Sequence, residues 1–217
     1  MAAPLESIYR EHHEKRRGEG FLVNGDARGE FLRRTVGTRK RVLDIGCRDG
    51  ALTAYYAPGN TVVGIDIDSV ALDKAKRDLG IETLHADLNG DWPVDGGFDD
   101  VVACEILEHL YYPDRVLRKI ADQLKPGGVL VGSIPHAFSF QSRARLLFAN
   151  KKGTALQDPT HINHFWGGEF ETLMRDAGYE DIALVGIFSK KFRPFSKLFP
   201  YGLAHSFVFS ARKPVAP

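Results

Sequence analysis

The stretch "RVLDIGCRDG", residues 41–50, decides how the rest of the chain is read. A run of apolar residues reaches an acid, Asp44, then Gly46, and the turn that follows closes on Gly50. A buried strand ending in a glycine turn ahead of a helix presents backbone N–H groups to a ligand, and glycine lets that ligand come close to the backbone. Arg48 stands where such turns usually carry a further glycine, so the dinucleotide fingerprint G-x-G-x-x-G is not present at 46–51.

Outward from this stretch the pattern alternates. "GFLVNG" separates two short N-terminal helices at residues 5–17 and 26–36. After the strand at 41–46, residues 50–57 read as a short helix stopped by Pro58-Gly59. "TVVGID" is a second strand, and "SVALDKAKRDLG" a helix with Ser69 as N-cap and Gly80 at its end. "IETLHAD" is a third strand and "FDDVVAC" a fourth. "PDRVLRKIADQLKPGG" is a helix with a proline start and a Pro-Gly-Gly stop, and "VLVGSIP" a fifth strand. Residues 136–166 form a long connection, followed by a helix ("GGEFETLMRDAGY") and two strands, "DIALVGIF" and "SFVFSARK". Apolar strands alternating with helices predict a parallel sheet covered on both faces. The expected fold is α/β, a single Rossmann-like, doubly wound seven-stranded sheet, mostly parallel with an antiparallel C-terminal edge strand.

The totals agree with one soluble domain. The chain has 217 residues, 43% hydrophobic and 26% charged. Lys and Arg (29) nearly cancel Asp and Glu (28), so global charge does not point to nucleic acid. The N-terminus is too charged for a secretory leader, no apolar run reaches membrane-spanning length, and a reduced, cytoplasmic setting is expected for Cys47 and Cys104. Three parts are expected within one domain, 1–217: an N-terminal helical lid (1–36), a cofactor-binding core (37–134), and an acceptor-side loop, helix and strand pair (135–217).

In an open parallel sheet, ligands bind beyond the carboxyl ends of the strands, where the strand order reverses. Four successive strand ends carry Asp44, Asp66, Asp87 and Glu105. A pyrophosphate would be repelled by so many carboxylates. A cofactor with a cationic centre and an adenosine would not, which favours a sulfonium over a nicotinamide dinucleotide.

"VLDIGCRDG", "VVGIDID", "HADL", "FDDVVACEILEHL" and "LKPGGVLVGSIP" together resemble, in order and spacing, the class I S-adenosylmethionine-dependent methyltransferases, from about Arg41 to Gly128. The resemblance implies roles position by position. Gly46 and Gly50 would let the methionine part lie against the loop. Asp66 would hold the ribose and Ile67 would pack on adenine. Asp87 would accept from the adenine amino group, with Leu88 beside it. Arg28 would match the family's arginine for the methionine carboxylate. Asp44, Cys47, Arg48 and Glu105 complete the implied cofactor site. Arg48 departs from the family's usual C-G-x-G; its side chain is expected to project outward or to reach an anion near the cofactor tail.

The segment "CEILEHLYYPD" carries the candidate chemistry. Glu105, Glu108 and His109 stand at i, i+3 and i+4, one face of a helical turn. Downstream, "DPTHINHFWGGEF" supplies His161 and His164. Two carboxylates and imidazoles suit a divalent cation, without selecting among Mg, Mn, Fe and Zn. E-x-x-E-H with a later histidine is similar to the metal site of small-RNA 3′-terminal 2′-O-methyltransferases and to the pattern of polyprenyl-catechol O-methyltransferases; on that resemblance Glu105, Glu108, His109 and His161 would be the ligands. Without a metal, His109 is the candidate general base, oriented by Glu108, with Glu105 as the alternative. No N-P-P-[YF] follows strand four, which disfavours transfer to nitrogen.

The acceptor is less legible. His136, Phe138, Phe140, Arg143, Arg145, Phe165 and Trp166 are candidates to line its pocket. From Ile182 to the end there are six Lys/Arg (Lys190, Lys191, Arg193, Lys197, Arg212 and Lys213) and no acid, and six of the fourteen phenylalanines fall there. The segment 188–203 would suit a lipid-linked or anionic acceptor or a peripheral membrane contact. The expected function is O-methylation of a small-molecule, glycan or lipid-linked hydroxyl. The alternatives are a small-RNA methyltransferase and an S-adenosylmethionine-binding protein without turnover.

Overall fold

The computed structural model describes residues 5–16, 20, 22, 24–189, 191–199 and 201–215. Arg17, expected to end the first helix, Phe21 and Val23 of "GFLVNG", and Lys190 of the basic segment lie outside these residues.

Two helices come first, α1 (Leu5–Arg16) and α2 (Gly25–Val36). The core then runs β1 (Arg41–Ile45), β2 (Thr61–Asp66), α3 (Ser69–Leu79), β3 (Glu82–His85), β4 (Phe98–Cys104), α4 (Pro113–Gln123), β5 (Leu124–Pro135), α5 (Phe140–Leu147), α6 (Gly167–Asp176), β6 (Glu180–Ile187) and β7 (Ser206–Arg212). The seven strands form one sheet in the order β3-β2-β1-β4-β5-β7-β6. β1 through β5 pair in parallel, and β7 runs antiparallel to both β5 and β6. β1 and β4 are buried on both faces, as their unbroken apolar runs require.

Four local readings are corrected. Residues 50–57 form only a 3-10 turn, Thr53–Tyr55, before Pro58 intervenes. The N-cap of α3 is Asp68, not Ser69: Asp68 is extended (φ −90°, ψ 98°) and its carboxylate accepts from the N–H groups of Val70 and Ala71. The long connection contains helix α5 and a short turn, Ala155–Gln157. The C-terminal strand is antiparallel as expected, but it sits inside the sheet; the edge is β6.

The strand order reverses at β1, whose neighbours are β2 and β4. The carboxyl ends of β1 and β4 therefore flank the crevice where an open α/β sheet takes a ligand. Gly46 closes β1 at φ +73°, and a Cβ there would lie 2.8 Å from Cδ1 of Ile106 in the turn after β4. A side chain at Gly46 would have to displace that of Ile106 and adopt a backbone conformation that favours glycine. Cys47 folds back onto β2, where a Cβ at Gly64 would come 2.6 Å from its Sγ. Both cysteines are thiols, and burial pushes Cys104 up to about 11. They pack, as the sequence reading holds, and neither is poised to react.

Candidate active site

The crevice is bordered by Gly46, Asp66, Ile67, Asp87, Leu88 and Glu105, and Asp44, Cys47 and Arg48 reach it from the first loop. Every strand-end acid is therefore at or beside one cavity. Gly50 is not on its wall: it turns the loop at φ +76° and packs towards Leu79 and Ala75 of α3.

The acids are engaged with the backbone as well as the cavity. Asp66 accepts from the N–H of Arg48 (2.9 Å) through one oxygen and from the N–H of Asp68 (2.9 Å) through the other. Burial raises its pKa, and these N–H bonds oppose the rise. Asp87 accepts from the N–H and the side-chain amide of Asn89. Asp44 is buried, and one oxygen receives the hydroxyls of Thr53 (2.6 Å) and Tyr56. Burial lifts its pKa to about 6 against those two bonds. Arg48 adopts φ +50°, the left-handed conformation usually left to glycine, so the departure from C-G-x-G is absorbed by the backbone.

Arg28, from α2, is 5% exposed and lines the same crevice. Burial opposes its charge, but Glu105 and Cys104 more than compensate, and its pKa is raised. Glu105 stands in the left-handed region (φ +52°), with its N–H on the carbonyl of Ser133 (2.8 Å) and its carboxylate receiving the Ser133 hydroxyl (3.0 Å).

That conformation overturns the helical-face reading of "EILEH". Glu105 precedes the 3-10 turn Leu107–His109 and faces the crevice. Among the described residues, the side chains that could share a cation are Glu108, His109 and His161, with ligand atoms within 4.8 Å of one another. Glu105 and His164 are not in this group.

The group is assembled by long-range backbone bonds. The N–H groups of Ile162 and Asn163 both donate to the carbonyl of Glu108 (2.9 Å each), and the Asn163 amide donates to the carbonyl of Leu110 (2.5 Å). These bonds zip the long connection onto the turn after β4. Nδ1 of His109 lies 2.9 Å from the carbonyl of Thr160, and Nδ1 of His161 lies 3.1 Å from the carbonyl of Ala155. A carbonyl can only accept, so Nδ1 carries a proton on each ring, and in the neutral imidazole Nε2 is then the nitrogen with the lone pair. Both Nε2 atoms lie 4.0 Å from Oε1 of the fully buried Glu108. At that distance Glu108 does not orient His109 by a hydrogen bond, contrary to the sequence reading; the Thr160 carbonyl does.

Helix α1 lies over this site. Its Tyr9 ring meets His109 edge-on, with centroids 5.9 Å apart, and Leu5, Tyr9 and His13 border the crevice. Burial pushes the Tyr9 hydroxyl up to about 12. Asp158 accepts from Thr160, bonds His12 of α1 (3.1 Å) and faces His161 (4.0 Å). The sequence carried a weak sign of Asp158 in the local Asp-Pro-Thr turn, and none of Tyr9, whose place depends on how α1 docks.

The seven candidates for an acceptor pocket do not border the crevice. Phe165 is core, with its ring 5.3 Å from Phe170. His136 is buried against Phe207, with Nδ1 on the carbonyl of Ala204. Phe138 is half-buried. Phe140, Arg143, Arg145 and Trp166 lie on the outer surface.

A family model described as "Methyltransferase domain" matches residues 19–184. The chain belongs to this family, the class I S-adenosylmethionine-dependent methyltransferases. This methyltransferase is 33% identical over 188 residues to a ubiquinone biosynthesis O-methyltransferase of Marinobacter nauticus, covering 75% of the chain and 72% of the relative. A Mycobacterium tuberculosis protein named "Probable S-adenosylmethionine-dependent methyltransferase" is 29% identical over 154 residues, 70% of this chain and 53% of that protein, so the chain spans about half its length. The crystal structure of a SAM-dependent methyltransferase from Archaeoglobus fulgidus shares the fold, with a TM-score of 0.67 at 20% identity over 94% of this chain and 99% of that one.

Proposed function

We propose that this methyltransferase moves the methyl group of S-adenosylmethionine to a hydroxyl oxygen of a small, glycan or lipid-linked acceptor, at a site where Glu108, His109 and His161 hold a divalent cation. The observation that carries the reading is the pair of imidazoles whose Nδ1 protons are held by backbone carbonyls while both Nε2 atoms turn to one buried carboxylate. Carbonyls that hold the Nδ1 proton, as those of Thr160 and Ala155 do, fix the tautomer a metal needs. The name of the Marinobacter relative, an O-methyltransferase, points the same way.

The crevice fits the cofactor by its chemistry. Asp66 and Asp87 would take the ribose hydroxyls and the adenine amino group, between apolar walls from Ile67 and Leu88. Arg28, buried and charged, would take the methionine carboxylate beside Gly46. Glu105, Asp44 and Asp66 give the crevice a negative field that favours a sulfonium. A bound divalent cation would lower the pKa of a coordinated hydroxyl. Tyr9 of α1, packed edge-on against His109, would restrict the access of water to this space. The lone pair on Nε2 of His109 is the alternative acceptor for the hydroxyl proton, and its orientation is already set by Thr160.

The test is methyl transfer to a panel of catechol, sugar and lipid-linked hydroxyls, with protein purified without chelator. Turnover of a hydroxyl acceptor is expected, falling on the order of a hundredfold or more in EDTA and in His161→Ala. Full activity in EDTA would assign the proton transfer to His109 and remove the cation from the account.

A further inference from the structure

We infer that the edge of the molecule beside the active site docks on an anionic lipid bilayer. Two stretches far apart in sequence meet there. Residues 138–157 contain four Lys/Arg and no acid, and residues 182–199 contain another four and no acid. The Phe140 and Phe199 rings are in edge contact, 5.8 Å between centroids, and the N–H of Phe140 donates to the carbonyl of Gly202 (2.7 Å). The two stretches therefore share one surface.

That surface is apolar at its tips. Leu147 and Phe148 are each 81% exposed at the end of α5, and Leu198 is 70% exposed. Arg143, Arg145, Lys151, Lys152, Lys191, Arg193 and Lys197 are exposed around them. Large apolar side chains held almost fully in water, ringed by bases, match the two layers of a bilayer interface: acyl chains beneath, anionic headgroups above. A nucleic acid would satisfy the bases and leave Leu147, Phe148 and Leu198 in water, so charge alone does not account for the surface.

Its position adds a functional reason. α5 leaves the carboxyl end of β5, and the 188–199 segment leaves the carboxyl end of β6. Pro135 of β5 and Ile187 of β6 both pair with Ser206 of β7, which places the two exits side by side. β5 is parallel to β1 and β4, so this is also the edge that carries the crevice. A chain docked by these segments would turn toward the membrane the same sheet edge that carries the crevice.

The test is co-sedimentation of the full chain with phosphatidylcholine vesicles, with and without phosphatidylglycerol. It needs no turnover, so it fails or succeeds independently of the proposed O-methylation. Binding to the phosphatidylglycerol vesicles is expected to exceed binding to the neutral ones by about tenfold or more and to weaken with salt. The Leu147→Ser/Phe148→Ser and Lys151→Glu/Lys152→Glu variants, whose altered side chains lie on the surface, should keep the parent's unfolding midpoint while losing about tenfold in vesicle affinity. Parent-like vesicle binding by the Leu147→Ser/Phe148→Ser variant would overturn the proposal. So would tighter binding to a single-stranded oligonucleotide than to vesicles, or a dimer in solution that this variant converts to monomer.

Discussion

Asp66 holds together the turn after β1 and the turn after β2, because each of its oxygens accepts one backbone N–H, from Arg48 and Asp68. Its substitution should therefore be felt without any ligand. Asp66→Ala leaves both N–H groups without that acceptor and is expected to lower stability by roughly 1–3 kcal/mol in urea unfolding of the ligand-less protein; an unchanged midpoint would reduce Asp66 to a ligand-binding group alone. Asp44 makes a pH prediction. Its ordinary value of 3.8 is lifted to about 6 in the fold, so between those values the folded chain binds a proton that the unfolded chain has released. This group's contribution therefore makes stability fall as pH rises from about 4 to about 6, by roughly 3 kcal/mol at most, and stay level above. Asp44→Asn should lack that decline, seen as the difference between the two proteins' urea midpoints across the window. Sequence placed Asp66 at a strand end correctly and Asp44 one residue short of one, because β periodicity and an open parallel sheet leave few other positions for them; β3 stops at His85, so Asp87 lies in the turn beyond it rather than ending the strand. Sequence could not show that Asp44 is taken up by Thr53 and Tyr56, since that depends on where the following turn lands.

At the scale of elements, polar side chains along α1 tie it to the core. Glu6 accepts from the N–H (3.1 Å) and hydroxyl (2.7 Å) of Ser69, Arg10 donates to Asp68 (3.1 Å), and His12 bonds Asp158 (3.1 Å). Asp68 thus serves two elements, as cap of α3 and as tether of α1. Asp68→Ala should cost about 1 kcal/mol through the cap and speed amide hydrogen exchange in residues 5–16. Asp68→Ser should restore the cap and leave the exchange fast, because the shorter hydroxyl carries no charge for Arg10. Equal exchange in the Ala variant and the parent would show that α1 is held elsewhere. Ser and Asp cap equally well, so composition could not choose between residues 68 and 69; the extended backbone at Asp68 does. Likewise "EILEH" suggested a helical face, and the left-handed turn at Glu105 breaks it. The meeting of His161 with His109 was foreseen only through resemblance, because the bonds that make it join residues about fifty positions apart.

Across the whole molecule, the carboxyl edge of one sheet carries the three features on which the proposals rest. The crevice between β1 and β4 has acidic and apolar walls, the turn after β4 brings the imidazoles beside it, and the exits of β5 and β6 carry the basic, apolar rim. The alternation of strands and helices made the parallel half legible. The insertion of β7 between β5 and β6 was not, because strand order at a sheet's end is a matter of long-range pairing that no local pattern records. Among the described residues, no helix is long and apolar enough to cross a membrane. Cation binding by the group at Glu108, His109 and His161 is tested most directly by calorimetric titration of the full chain with Mn²⁺. We predict one site in the parent and in Glu105→Gln, and none in His161→Ala. No binding by the parent, or binding kept by His161→Ala and lost in Glu105→Gln, would contradict the account.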